Sequence, residues 1–256
     1  MTFQIKLPSI LKPNAGFPLI RIGGHGDGGY LVDNRIINCD LLSIGISSDW
    51  RFEKQWLINN QNAKIGTFDG SISGPFFFRK AFQSIFRVHK PSLFFSYSKV
   101  FYEYFRFLKK QTRFFKLFIG ESENQQFISF NDAIKKSSLR KPYCVKIDIE
   151  GYEYEILDQI IENQNDISGL LIEFHDPIYN LPKVIKFVQD FNLKLANIHV
   201  NNCIPKTKNS ELDPCIELSF TSKDATDKIA EIPHHLEQPN DSKCQDFIVS
   251  WVKTGI

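Results

Sequence analysis

The chain has 256 residues, 42% of them hydrophobic, and 31 basic and 29 acidic side chains give a formal net charge of +2. This length fits one large α/β domain, and the sequence lacks both a membrane-spanning apolar run and a signal-peptide pattern, so we expect a cytoplasmic location. Five scattered cysteines without a C-x-x-C pair argue against a disulfide framework and against a zinc site.

Short apolar runs alternate with amphipathic segments, which is typical of a mostly parallel sheet with helices on both faces. A glycine-dense segment at 22–30, whose backbone can turn tightly or approach a ligand, precedes the first strand. We predict strands at 41–46, 63–68, 114–119, 143–148, 169–174, 193–200 and 214–221. Helices are predicted at 50–60, 130–136, 153–161 and 183–190, the first of them capped by Ser47, Ser48 or Asp49.

Residues 75–116 form a basic, aromatic module with ten Lys or Arg, one acid and twelve of the 24 phenylalanines. We predict a single domain over 1–256 with this module as a helical insertion. Six apolar residues of the module lie at helical spacing and form one stripe: Tyr97, Val100, Phe101, Tyr104, Phe105 and Leu108. We expect this stripe to bury against the domain or against a second subunit in a homodimer. The cations would meet the diphosphate of a sugar nucleotide, an anionic membrane surface or RNA.

Acidic side chains and a histidine follow two of the predicted strands. Because side chains alternate along a strand, Asp148 and Glu150 share one face, and so do Glu173 and His175. Ligands bind beyond the carboxyl ends of such strands, so we expect these four residues to act in proton transfer there. Alternatives are that Asp148 caps the helix after Gly151, that Glu150 pairs with a surface lysine, and that His175 is a satisfied core histidine. Oxygen ligands with one imidazole suit Mg²⁺ or Mn²⁺, which predicts a metal set of Asp148, Glu173 and His175.

A second group of residues suits a nucleotide-containing ligand. The turn after the first strand has only one glycine, Gly45, so the G-x-G-x-x-G dinucleotide fingerprint is absent. Asp69 ends the second strand, where nucleotide-binding α/β domains place a carboxylate that accepts both ribose hydroxyls. A loop aspartate that caps its own turn is the alternative.

Several motifs occur in the order found in one known family. They are Gly23-Gly-His-Gly-Asp-Gly-Gly-Tyr30, Ser43-Ile-Gly-Ile-Ser-Ser-Asp-Trp-Arg-Phe-Glu53, Thr67-Phe-Asp69, Val145-Lys-Ile-Asp-Ile-Glu-Gly151, Ile172-Glu-Phe-His175, His199-Val-Asn-Asn202, Glu217-Leu-Ser-Phe220 and His235-Leu-Glu-Gln-Pro-Asn240. Together they resemble the FkbM-type class I S-adenosylmethionine-dependent methyltransferases, most closely those that O-methylate sugars in bacterial capsule and surface-glycan synthesis. The resemblance implies a Rossmann-like seven-stranded sheet whose last strand is antiparallel. The module at 75–116 lies outside the family's common core.

The resemblance also implies roles for individual residues. Binding of S-adenosylmethionine is expected from Gly28, Tyr30, Gly45, Ser47, Asp49, Asp69 and Glu121. Acceptor binding is expected from His199, Asn201, Asn202, Arg79 and Lys80, although the first three equally suit a turn and Tyr30 equally suits packing. The expected reaction is O-methylation of a sugar hydroxyl, on a nucleotide-linked sugar such as a heptose, in capsular polysaccharide synthesis. The alternatives are a nucleic-acid methyltransferase that grips its substrate with the module, and a non-catalytic, membrane-peripheral scaffold for glycan enzymes.

Overall fold

A computed structural model describes residues 4–85, 91–122, 124–202 and 214–253. Its strands are β1 (Gln4–Pro8), β2 (Leu19–Ile22), β3 (Tyr30–Asp33), β4 (Asp40–Ile44), β5 (Ile65–Phe68), β6 (Arg113–Phe115), β7 (Phe118–Ile119), β8 (Phe127–Ile128), β9 (Tyr143–Ile147), β10 (Ile167–Phe174), β11 (Lys194–Val200), β12 (Ile216–Thr221) and β13 (Ile248–Val252). Its helices are α1 (Arg51–Asn59), α2 (Gly74–Ile85), α3 (Pro91–Glu103), α4 (Lys109–Gln111), α5 (Phe130–Ser137), α6 (Leu157–Glu162) and α7 (Leu181–Asp190).

Seven strands form the central sheet in the order β11-β12-β10-β9-β4-β5-β6. Strand β12 runs antiparallel to β10 and β11, whereas the remaining pairs are parallel. Every residue of β10 is buried, which explains why its sequence is nearly continuous in apolar side chains rather than alternating. The predicted Rossmann-like class I methyltransferase fold is confirmed.

Both faces of the sheet are covered, as predicted. Helices α5, α6 and α7 pack on one face, where Val145 and Leu170 belong to the largest apolar cluster. On the other face, Phe52 and Trp56 of α1 and residues of the β2–β3 hairpin pack on Leu41 and Leu171. Strands β1 and β13 form a separate parallel pair.

The third strand was predicted too long. Only Arg113–Phe115 joins the central sheet, beside β5, and the chain then leaves it so that β7 pairs with β8 in a separate two-stranded sheet. The ring of Phe118 occupies the space above Gly70, where an added Cβ would lie 2.3 Å from it. Packing of this ring therefore takes the strand out of the sheet after Phe115.

Two helix predictions also need correction. Trp50 is the N-cap of α1 and makes no side-chain cap hydrogen bond, so none of the predicted serines or Asp49 holds that position; Asp49 instead accepts from the Arg51 amide at 3.1 Å. The helix predicted at 153–161 is divided into a 3₁₀ turn (Tyr152–Glu155) and α6.

The module folds as two helices, α2 and α3, that pack on each other and connect β5 to β6. Because β5 and β6 are adjacent and parallel, they need a crossover connection, and the helical pair supplies it. The module is therefore the connection between two neighbouring strands of the sheet, as well as an insertion that enlarges the domain. No helix within the described ranges has the length and apolar character needed to cross a bilayer.

The described part of the module's apolar stripe buries against the domain; the side chain of Tyr97 lies outside the described residues. Tyr104, Phe107 and Leu108 pack with residues of the β4–α1 connection and with Ile72. The predicted member Phe105 is instead 48% exposed. The cause is a π-helical turn over Tyr104–Leu108, whose wider repeat shifts the buried face to Phe107.

Candidate active site

A cavity of about 440 Å³ lies beyond the carboxyl ends of β4, β5 and β9. This is the edge at which parallel sheets bind ligands, because the strand ends converge there and polar side chains follow them. Of the predicted residues, those that line the cavity are Gly28, Gly45, Ser47, Asp49, Asp69, Asp148 and Glu150. Part of the lining was not predicted from the sequence: Asp27, Ser71, Lys146 and an apolar wall formed by Leu117, Phe118, Phe127 and Tyr152.

Gly45 brings two strand ends together. Its φ is +75°, and an added Cβ would lie 1.6 Å from the carbonyl oxygen of Asp148. The glycine is required because the backbone after β9 passes directly over it. A contact with the protein's own backbone therefore excludes a side chain there.

The Asp69 carboxylate caps its own turn, which is the alternative to ribose binding that the sequence left open. Its Oδ2 accepts from the amides of Ile46 and Ser47 at 3.1 and 2.7 Å, and its Oδ1 accepts from the amide and hydroxyl of Ser71 at 2.8 and 2.5 Å. A carboxylate offers about four lone-pair positions, so these four bonds use its capacity. The Ser71 hydroxyl also lines the cavity and is the one partner that a side-chain rotation can release.

The opposite wall of the cavity is aromatic. The rings of Phe118 and Phe127 stack at 5.0 Å between centroids, and Tyr152 lies 5.5 Å from Phe127. A flat apolar ligand group fits against such a wall, because it can stack on the rings or meet their edges.

Asp148 and Lys146 form the floor of the cavity. The Lys146 ammonium lies 3.8 Å from Asp148 Oδ2 and 5.3 Å from the centre of the Tyr30 ring. Burial raises the pKa of Asp148, and the positive charges of Lys146 and His175 oppose that rise. The same alternation that placed Asp148 and Glu150 on one face would have identified Lys146, two positions earlier.

A buried carboxyl lies behind the lysine. Glu53 of α1 accepts from the Ser43 hydroxyl at 2.6 Å, and burial raises the pKa of Glu53 while Lys146 lowers it. Lys146 is therefore placed between two carboxyl groups, one on the cavity side and one in the core.

His175 is held by carboxylates on both ring nitrogens. Nδ1 lies 2.9 Å from Glu153 Oε1, and Nε2 lies 3.4 Å from Glu150 Oε2. Burial lowers the pKa of His175, but its bonds with Cys215 and Glu153 prevail and raise it to about 12. The ring is then an imidazolium at neutral pH, which can donate a hydrogen bond but cannot accept a proton.

Glu153 was not predicted and has a second role. Its Oε1 also accepts from the amides of Ile149 and Gly151 at 3.1 and 3.3 Å. Glu153 therefore holds the turn before the 3₁₀ segment, whose N-cap, Gly151, makes no side-chain cap bond. The Asp148 carboxylate does not cap this segment and lines the cavity instead.

Two groups of side chains around His175 have metal-ligating atoms within 4.8 Å of one another: Asp148, Glu150 and His175, and Glu173, His175 and Cys215. The predicted metal set of Asp148, Glu173 and His175 is thus divided between them, and the sequence analysis missed Cys215. A divalent cation would have to displace the proton that His175 carries.

Glu173 lies behind the cavity in a buried polar network. Its Oε1 accepts from Asn201 Nδ2 at 2.9 Å and its Oε2 from the Tyr30 hydroxyl at 3.4 Å. Burial, together with the charges of Asp148 and Glu217, raises the pKa of Glu173 well above its ordinary value. Tyr30, Glu173 and Asn201, predicted as ligand-binding or catalytic, therefore contact one another beneath the site.

The network continues across the sheet. Glu217 lies opposite Glu173 and His199 in the strand register and accepts from Asn240 Nδ2 at 2.8 Å. His199 Nε2 lies 2.7 Å from Asn240 Oδ1. Burial raises the pKa of Glu217 to about 8. Asn202 donates at 3.1 Å to the carbonyls of Asp241 and Cys244, so it holds the segment that carries Asn240.

Two predicted residues of the described part of the chain, Glu121 and Arg79, lie apart from the cavity. Glu121 is exposed, and its amide donates to Glu155 at 2.7 Å. Arg79 is exposed on α2, and the side chain of Lys80 is outside what the structure describes. None of the described residues of α2 or α3 lines the cavity, so a grip on the acceptor by this module stays a prediction.

Comparison with known proteins agrees with the resemblance at the level of a methyltransferase. Residues 83–195, which include Asp148 and His175, match the model of the Methyltransferase FkbM domain. No curated protein matches significantly. The chain is similar to precorrin-6y C5,15-methyltransferase from Geobacter metallireducens GS-15, at 12% identity and a TM-score of 0.38 over 72% of this chain and 80% of that one. It is also similar to the METTL16 methyltransferase domain, at 12% identity and a TM-score of 0.38 over 75% and 65%. The family match supports methyltransferase activity. The solved structures are too distant to indicate a substrate.

Proposed function

We propose that the protein is an S-adenosylmethionine-dependent O-methyltransferase that acts on a sugar hydroxyl, on a nucleotide-linked sugar of capsular polysaccharide synthesis. The observation that carries the proposal is the Asp148 carboxylate, with its raised pKa, in a cavity beyond the central strands of a class I sheet. The family match over residues 83–195 supports the reaction class.

The residues that line the cavity fit S-adenosylmethionine. A volume of about 440 Å³ lies within the range of small-molecule sites. The wall of Phe118 and Phe127 suits the adenine, and Asp69 suits the ribose hydroxyls if one of them replaces the Ser71 hydroxyl. S-adenosylmethionine supplies a methyl group on a sulfonium, which a hydroxyl oxygen can attack directly.

Asp148 is the proposed base. A sugar hydroxyl is a weak nucleophile at neutral pH, and a carboxylate of raised pKa accepts its proton better than an ordinary one. As the hydroxyl oxygen forms its bond to the methyl carbon, the proton passes to Asp148 and the carbon–sulfur bond breaks. The charges of Lys146 and of His175, which Glu153 fixes, lower the pKa of Asp148 against the effect of burial and so favour its ionised form.

The charge of the rim supports a hydroxyl-bearing acceptor. Besides Asp69, four carboxylates line the cavity: Asp27, Asp49, Asp148 and Glu150. They would accept hydrogen bonds from sugar hydroxyls but repel a phosphate placed among them. The phosphates of a nucleotide sugar would therefore lie away from this rim. A nucleic-acid backbone threaded along it would meet the same repulsion.

Methyl transfer from labelled S-adenosylmethionine to a panel of sugar nucleotides tests the proposal. Asp148→Asn should lower turnover by about two to four orders of magnitude with near-normal cofactor affinity. Asp158→Asn, which removes an exposed carboxylate on α6, is the matched control and should leave turnover unchanged. Ordinary turnover in Asp148→Asn would exclude this residue as the base.

Two further measurements separate the parts of the proposal. Calorimetry with S-adenosylhomocysteine should give a much weaker affinity for Asp69→Ala than for the parent, because charge-assisted bonds are lost. Loss of turnover with EDTA, restored by Mg²⁺ or Mn²⁺, would assign Asp148 to a metal rather than to proton transfer. Cofactor binding without transfer to any sugar nucleotide would contradict the proposed acceptor alone.

A further inference from the structure

The helical pair α2–α3 exposes large aromatic side chains at its surface. Phe78 is 58% exposed, Phe82 52%, Phe95 70% and Phe105 48%. Exposed apolar patches of this kind mark interaction surfaces, because such rings gain free energy when they leave water.

Ring contacts join three of these side chains, Phe78, Phe82 and Phe105, into one patch. Phe78 lies 6.4 Å from Phe82 and 5.7 Å from Phe101, and Phe101 lies 5.2 Å from Phe105, between ring centroids. Phe105 in turn contacts the buried ring of Tyr104 at 5.1 Å. The patch is therefore anchored to the core of the domain and continues outward over both helices.

The patch carries a strongly positive border. Exposed cations lie next to it in the chain or one helical turn away, and they are Arg79, Lys99, Arg106, Lys109 and Lys110. The one acid of the module, Glu103, is 2.6 Å from the Lys54 ammonium of α1, so its charge is offset by the domain rather than by these cations.

We propose that the α2–α3 surface docks the protein on an anionic lipid surface. Phenylalanine rings beside lysine and arginine suit the boundary between acyl chains and anionic headgroups, where rings enter and cations remain at the phosphates. A second copy of the chain suits the patch less well, because a two-fold interface would oppose like charges. A nucleic acid would stack its bases on ring faces, whereas these rings pack on one another.

Docking there would place the cavity close to the lipid surface. Helix α2 begins at Gly74, three residues after Ser71, which lines the cavity beyond the carboxyl end of β5. A rigid body held through α2 and α3 therefore keeps the β5 end of the cavity near the headgroups. This inference does not depend on which hydroxyl the protein methylates.

Co-sedimentation of the full chain with vesicles tests the proposal. The protein should bind vesicles of phosphatidylcholine with phosphatidylglycerol and not vesicles of phosphatidylcholine alone, and salt should weaken the binding. Lys109→Gln with Lys110→Gln should weaken it roughly twenty-five-fold, about fivefold for each cation removed. The matched control, Lys135→Gln with Lys136→Gln on α5, removes two exposed cations elsewhere and should change it less than about twofold.

A second pair of variants tests the rings. Phe78→Ser with Phe105→Ser should abolish sedimentation with anionic vesicles, whereas Ile229→Ser, at a remote and highly exposed apolar position, should not. Unchanged circular dichroism would show that the variants fold. Equal binding by module and control variants would overturn the proposal. So would a patch-dependent dimer in sedimentation velocity, or patch-dependent RNA binding without vesicle binding.

Discussion

The buried carboxyl of Glu217 makes the stability of this protein depend on pH in a defined direction. Its ordinary pKa is 4.5, and burial raises it to about 8 in the folded protein. Between these values the folded state holds a proton that the unfolded state has released. The free energy of unfolding therefore falls as pH rises from about 4.5 to about 8 and is level above that range.

The size of the effect follows from the shift. Each pKa unit corresponds to about 1.4 kcal/mol, so the shift of Glu217 gives an upper limit of about 5 kcal/mol. Glu217→Gln keeps the shape and the oxygen that accepts from Asn240, and it removes the titration. Near pH 5.5 the free energy of unfolding of the variant should be close to that of the parent. As pH rises from there, the variant should become more stable than the parent by about 1 kcal/mol for each pH unit.

Urea unfolding at about pH 5.5, 6.5, 7.5 and 8.5 measures this difference. Titrating groups that do not interact with Glu217 are common to both proteins and cancel in the comparison. Glu173, whose pKa the charge of Glu217 raises, adds to the difference in the same direction. Glu162→Gln, which neutralises an exposed carboxylate on α6, is the control and should give a nearly flat difference. A difference between Glu217→Gln and the parent that does not change with pH would refute the buried, protonated carboxyl.

Three further changes test the site and the module. Gly45→Ala should destabilise the fold by more than about 2 kcal/mol, because a Cβ there meets a backbone carbonyl; a normal melting temperature would contradict this. Glu153→Gln should lower the pKa of His175, measured by NMR titration of labelled histidine, and an unchanged value would show that Glu153 does not hold the ring. Phe107→Ala should cost about 3–5 kcal/mol in unfolding free energy and Phe105→Ala about 1 or less, and equal losses would argue against the π-helical turn.

The central sheet could be predicted from the sequence because each strand is marked by its own run of consecutive apolar residues. Runs such as Leu170-Leu-Ile172 are apolar over consecutive positions, as strands buried on both faces require, and acidic residues follow them where chemistry is expected. Asp148 and Asp69 each directly follow a buried strand, and this position brings them to the cavity. Alternation along a strand does not place Glu150, because β9 ends at Ile147 and Glu150 has a φ of +55°.

The remaining features depend on contacts between distant parts of the chain. Cys215 reaches His175 only because β12 returns antiparallel beside β10, and Asn240 reaches Glu217 through a segment without regular structure. The π-helical turn moves the buried face from Phe105 to Phe107, which a fixed helical repeat cannot anticipate. The protonation of His175 likewise depends on partners that sequence spacing does not reveal.

The pairing of β1 with β13 has a consequence for the order of folding. Gln4 lies opposite Ile248, about 240 residues away, and closing a flexible loop of that length costs about 5 kcal/mol. The central sheet must form first and bring these strands together before five paired residues can repay that cost. Hydrogen-exchange labelling during refolding should therefore protect the amides of β9 and β10 before those of β1 and β13.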